Sequence, residues 1–164
     1  MKIRTSIQAV AIAATVACPV IGWSATTTTT MAVTTTVLNS CIVVASPLAF
    51  GNYDPTGGSP TNATTTIAVT CTSGAAYNVG LDKGANGSSV TTRLMKDTGS
   101  DTLPYSLYSD SGRTTNWGNT VGSDTKSGTG SGLLQTLTVY GTIPAGQTAP
   151  AGAYTDTVNV TVTY

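Results

Sequence analysis

Histidine and glutamate are both absent from the 164 residues, and charged side chains make up only 9% of them. Without those two residue types, the ordinary general bases and the partners that activate nucleophiles are missing, which argues against an enzyme and leaves no catalytic residue to name. Cysteine is scarce at three. Few thiols and no imidazole exclude the usual metal-ligand sets, and no cofactor is expected. No basic cluster is available to grip nucleic acid. Long hydrophobic runs are missing except at the start. There, Lys2 and Arg4 precede a stretch rich in Ala, Val and Ile from Ile7 to Ile21. That stretch is shorter than the roughly 20 residues of a bilayer span.

The N-terminus reads instead as a secretory signal, residues 1–25, with small residues around Gly22 to Ala25 for cleavage. Its loss removes two positive charges, leaving a net charge of about −2, and takes Cys18 with it. Cys41 and Cys71 remain as an even pair in an exported chain, the condition for a structural disulfide. A loop of that length is worth roughly 3–4 kcal/mol in the chain-entropy model. The remaining residues fit one domain.

Thr, Ser, Gly and Asn dominate, and Thr favours strands while Gly and Asn favour turns. Strands are expected over Val37–Ala45, stopped by Pro47, and over Ala63–Thr72. Others are expected around Tyr77, Val79 and Leu81, at the short edge segment Arg93–Lys96, and around Leu103, Tyr105 and Leu107. Pro104 is tolerable only at an edge or strand start. A Gly/Ser loop is read from Gly118 to Gly132, then a long strand from Leu133 to Ile143 with Leu133, Leu137, Val139 and Ile143 on one face. No stretch has helical apolar spacing over three turns, so many short strands point to an all-β sandwich.

The two ends are the most informative parts. Ala153 to Tyr164 alternates without a break, placing Tyr154, Val158, Val160, Val162 and Tyr164 on one face with Asp156, and the Thr residues and Asn159 on the other. A strand of that length, roughly 40 Å, is expected centrally in its sheet, yet nothing follows to cover its free side. At the other end, Met31, Val33, Thr35 and Val37 form a comb at two-residue spacing ahead of Cys41. One end is short of a strand and the other has one to lend. This N-terminal segment could also fold back within its own chain.

Several stretches together resemble the spore coat protein U domain family, which includes subunits of archaic, Csu-type chaperone-usher pili. They are Phe50-Gly51-Asn52-Tyr53, the run from Tyr105 to Asp110, Arg113 to Gly118, Tyr140 to Gln147, and Gly152 to Val158. The resemblance implies an incomplete immunoglobulin-like sandwich lacking its last strand, completed by a donor strand from a neighbouring subunit. It implies a donor segment at residues 26–38 and the pilin domain at 39–164. Met31, Val33, Thr35 and Val37 would enter the next subunit's groove, and the Cys41–Cys71 bond would tie the first strand to the second. Thr35 is less bulky than the aliphatic expected there. Identical or related subunits, a periplasmic chaperone and an outer-membrane usher are the implied partners, on a cell-surface pilus that supports attachment and biofilm formation. The length favours a rod or minor adaptor subunit over a two-domain tip adhesin.

Other residues suggest further chemistry. Asp97-Thr98-Gly99 has the letters of an aspartic protease loop, but that chemistry needs two carboxylates across a cleft. Asp97 and Asp101 supply too few oxygens for calcium. Tyr77, Tyr105, Tyr108 and Trp117 offer an aromatic sugar platform for a monomeric carbohydrate-binding module, or else fill the core. Asn62, Asn86 and Asn159 open glycosylation sequons, relevant only in a eukaryotic secretory pathway. A secreted coat or matrix protein of the same family is the remaining alternative.

Overall fold

The computed structural model describes residues 22–164, so most of the expected signal segment, Cys18 included, lies outside the described residues. Two units are distinguished, meeting in sequence at Thr35 and Thr36. In the first, residues 22–35 carry no strand and are exposed throughout. The second unit holds eight strands: β1 (Cys41–Ala45), β2 (Thr61–Cys71), β3 (Ala76–Leu81), β4 (Arg93–Lys96), β5 (Thr102–Tyr108), β6 (Lys126–Thr129), β7 (Gln135–Ile143) and β8 (Val160–Thr163).

They form a five-stranded sheet of order β1-β2-β7-β5-β4 and a three-stranded sheet of order β6-β3-β8. Every pairing is antiparallel. Alternation along each strand puts one set of side chains inward. Ile67, Val69, Leu107, Val139 and Ile143 from the large sheet meet Tyr77, Val79 and Leu81 from the small one, all buried. This is the incomplete immunoglobulin-like sandwich that the sequence led us to expect. Cys41 stands opposite Cys71 in the β1–β2 register, and the two form a disulfide. Between β1 and β2 the chain crosses Gly141, where a Cβ would come within 2.7 Å of Leu48 and 2.8 Å of Phe50. A glycine is what lets those two apolar side chains lie on β7.

Four expectations need correction. β6 lies inside the stretch read as a Gly/Ser loop, because Lys-Ser-Gly-Thr has no apolar alternation and is held to β3 through its backbone. Leu133 is 74% exposed and outside β7, which starts at Gln135, where pairing with Val69 begins. The closing strand is shorter than its alternation, since β3 pairs only with Val160 to Thr163. Upstream of Val160 the alternation persists, but apart from the Lys96–Thr155 bridge no strand lies alongside. β8 is also an edge strand, not a central one. Of the two uses open to the aromatic residues, core filling is the one Trp117, Tyr77 and Tyr105 serve: all three are buried, and Trp117 Nε1 donates to the Val79 carbonyl at 2.8 Å. Pro104 sits where β5 has β4 alone as a neighbour, since β7 pairs only with Ser106 to Tyr108.

Candidate functional site

The two sheets do not close on each other between β1 and β8. Each is the end strand of its own sheet, and the two approach without pairing. Beyond Ala45 the seam widens into an apolar cleft of about 450 Å³. Leu48 and Phe50 form one wall, Tyr154, Val158 and Val160 the other, and core residues such as Ile67 and Val139 the floor. Edge strands with free N–H and C=O groups beside exposed core side chains form a template for another strand.

Tyr154, Val158 and Val160 of the closing segment line this cleft. Val162 is half-buried against the core, and Tyr164 is 57% exposed. Met31, Val33 and Val37 are each about four-fifths exposed. Thr35 is exposed too, and no strand includes any of these four residues.

A polar clamp fixes the groove's outer lip. Asp156, the one charged residue on the apolar face of the closing segment, accepts from the Tyr105 hydroxyl at 2.6 Å, from Ala85 N at 2.9 Å and from Asn86 Nδ2 at 3.0 Å. Asp82 accepts from Gly84 N and Asn159 N, both at 2.9 Å, and from Asn159 Nδ2 at 2.6 Å. Thr155 and Lys96 exchange backbone bonds at 2.9 Å. The segment is therefore held in place before β8 begins. Burial, reinforced by the Asp156 carboxylate, pushes the Tyr105 hydroxyl well above the ordinary tyrosine range, so it remains a donor.

Arg93 lies under this clamp, fully buried. Its guanidinium donates to the carbonyls of Asp82 at 2.8 Å, Val90 at 2.7 Å, Leu81 at 2.9 Å and Trp117 at 2.7 Å. Burial lowers its pKa, but an arginine remains a cation at any biological pH. Sequence reasoning placed Arg93 only on a short edge strand. A usable signal was its parity with Met95, which faces the interior, just as Asp156 was a charge on an otherwise apolar comb.

Partial burial works to raise the Asp82 carboxyl, but hydrogen bonds from Asn159 and Gly84, with Arg93 nearby, outweigh it and hold the group below its ordinary value. A carboxyl with a depressed folded pKa contributes stability above the unfolded pKa and loses that contribution as pH falls through the folded one. Acidification from about pH 4 downward should therefore loosen the Asn159 end of the lip. Amide exchange of Gly84 and Asn159 measures it. Protection that does not change down to about pH 2 would refute the role given to Asp82.

Asp97 Oδ1 accepts from Gly99 N at 2.9 Å and Asp101 N at 3.1 Å, which is a turn held by its own side chain.

Comparison with known proteins agrees with this architecture. Protein U of Myxococcus xanthus is 36% identical over an alignment of 177 residues, covering 99% of this chain and 98% of that protein. Among solved structures, the chain is similar to one in the crystal structure of the CsuC–CsuE chaperone–tip adhesion subunit pre-assembly complex from archaic chaperone-usher Csu pili of Acinetobacter baumannii. The TM-score is 0.58 and the identity 26%; the match covers 79% of this chain and 40% of that one, so this chain spans less than half its neighbour's length. The Spore Coat Protein U domain model matches residues 27–161. With that match running from the threonine-rich N-terminal segment into β8, the chain belongs to the spore coat protein U domain family.

Proposed function

We propose that the protein is a structural subunit of a surface pilus, secreted through the periplasm and polymerised by donor strand complementation. The observation that carries this reading is the open seam between β1 and β8, together with an exposed apolar comb in the same chain. Met31, Val33, Thr35 and Val37 of one subunit would enter the seam of the next, between Tyr154–Val160 on one side and β1 with the Leu48–Phe50 stretch after it on the other. Seven residues from Met31 to Val37 extend about 23 Å at strand rise, enough to run from Tyr154 to Val160, the first residue of β8. A periplasmic chaperone would cover the seam before assembly, and an outer-membrane usher would exchange it for the donor. The structural neighbour belongs to a chaperone–subunit pre-assembly complex of a chaperone-usher pilus, which supports those partners. Attachment and biofilm formation are the roles such a fibre would serve.

A coat built from the same subunits is the second reading, favoured by the match to the Spore Coat Protein U domain over residues 27–161. Both use the same groove, and electron microscopy of the assembled material separates thin fibres from sheets.

The groove is tested with a synthetic peptide of residues 29–38 added to a chain that begins at Leu38. A ligand at a hundred times its Kd stabilises the folded state by about 2.7 kcal/mol, so melting should move up by several degrees. The same peptide with Met31→Asp and Val33→Asp should leave melting unchanged. No shift with the unaltered peptide would sink the donor assignment.

A further inference from the structure

The residues joining the donor comb to the sandwich leave no slack. Thr72 N donates to Ser40 O at 2.9 Å, Ser40 N donates to Thr72 Oγ1 at 3.1 Å, and Thr72 Oγ1 donates to Leu38 O at 3.3 Å. Cys41 follows at once, fixed to Cys71. Thus Leu38 to Ser40 are bound to the end of the sandwich where β1 starts and β2 stops, and Val37 is the last residue free to leave. The same end presents Leu133 and Leu134, 74% and 67% exposed, on a segment bound to it by Gly132 N donating to Cys71 O at 3.1 Å.

The opposite end carries a second cleft of about 660 Å³, between the Leu48–Pro55 loop and the Ala149–Tyr154 segment. It shares Leu48, Phe50, Met95 and Tyr154 with the seam, so it is the seam's continuation. None of the residues lining it is charged. The Leu133–Leu134 end is equally free of charge at residues 38–41, 71–75 and 130–134. Asp97 stands beside Gly152 at the rim, but the lining faces themselves bring no charged side chain to desolvate.

We infer that a second copy of this chain docks its Leu133–Leu134 end into this cleft, making a stiff head-to-tail joint beside the inserted donor strand. The inference rests on the donor reading above. Its geometry follows from direction. β8 runs towards the Cys41–Cys71 end and β1 away from it, as their pairing with β3 and β2 shows. A strand between them is antiparallel to one and parallel to the other. The closing segment is the longer partner and antiparallel pairing the more stable, so the donor runs antiparallel to β8. Its Val37 end then lies beside Tyr154, at the mouth of the second cleft. With no spacer after Val37, the donor copy's Leu133–Leu134 end must abut that cleft. Such a heterologous contact repeats without closing, which generates a filament.

The test is disulfide trapping in assembled full-length protein. Leu133→Cys or Leu134→Cys is combined with Ala151→Cys or Ala153→Cys, four double variants in all. The paired positions lie at opposite ends of one sandwich, so no bond can form within a subunit. Expected is a ladder of covalent multimers that survives boiling in detergent and collapses on reduction, in at least one variant. Polymers visible by microscopy that give no ladder in any variant, although both introduced thiols react with a maleimide in the monomer, overturn the joint while leaving donor exchange intact. No polymers from the unaltered chain would instead mean that donor exchange itself fails, and the joint with it.

Discussion

A chain that keeps residues 1–25 but lacks residues 26–37 will be exported and stay monomeric, whereas the chain with residues 26–37 intact will form fibres or heat-resistant ladders. The two differ only in the exposed comb, and the seam between β1 and β8 is common to both. Burying Met31, Val33 and Val37 contributes on the order of 5 kcal/mol. A strand bonded on both sides adds about 0.5–1.5 kcal/mol for each backbone hydrogen bond. Dissociation must expose the whole strand at once, so the fibre's persistence is a matter of rate more than of equilibrium. The change therefore reads as all or none. Gel filtration and negative-stain microscopy of the periplasmic protein measure it, and fibres from the shortened chain would show that the donor lies elsewhere.

Arg93→Ala is expected to be the most damaging single substitution in the sandwich. It removes the guanidinium that donates to four carbonyls, those of Leu81, Asp82, Val90 and Trp117, and leaves a void among buried residues. Orphaned buried acceptors cost about 1–3 kcal/mol each. Water entering the void recovers part of that, so the net loss is about 4 kcal/mol. For a domain of this size the melting temperature should fall by roughly 15 °C. Arg93→Lys keeps the charge but cannot span four carbonyls with one ammonium, so it should fall between the two. Because Leu81 and Asp82 anchor the loop that holds Asn159, peptide binding at the seam should weaken along with stability. Thermal melting of the monomer that begins at Leu38 is the measurement; an Arg93→Ala melt within about 3 °C of the parent would show that the network is dispensable.

Alternation was legible wherever a strand had one buried face. β2, β3, β4 and β5 stand within two residues of their expected positions, and the cysteine pair is bonded. Legibility failed where pairing does not depend on side chains. Nothing in Lys126–Thr129 alternates, yet the backbone bonds of β3 make it a strand. It also failed where alternation outruns the neighbour: Tyr154 to Asn159 has the pattern of a strand, yet meets one only at the Lys96–Thr155 bridge. Trp117 and the tyrosines could be read either way, since an aromatic ring serves a core or a surface equally well until its neighbours are known.

Residue parity alone carried the all-β class and the two apolar combs, one before Cys41 and one in the closing segment, because pleating ties side-chain direction to position and needs no knowledge of distant partners. What borders those combs was settled by tertiary packing. The cleft under Leu48 and Phe50, the four carbonyls around Arg93, the Asp82 and Asp156 clamp and the bare Leu133–Leu134 end all join residues far apart in the chain. Such meetings depend on which strands become neighbours across two sheets, and local periodicity carries no record of that choice.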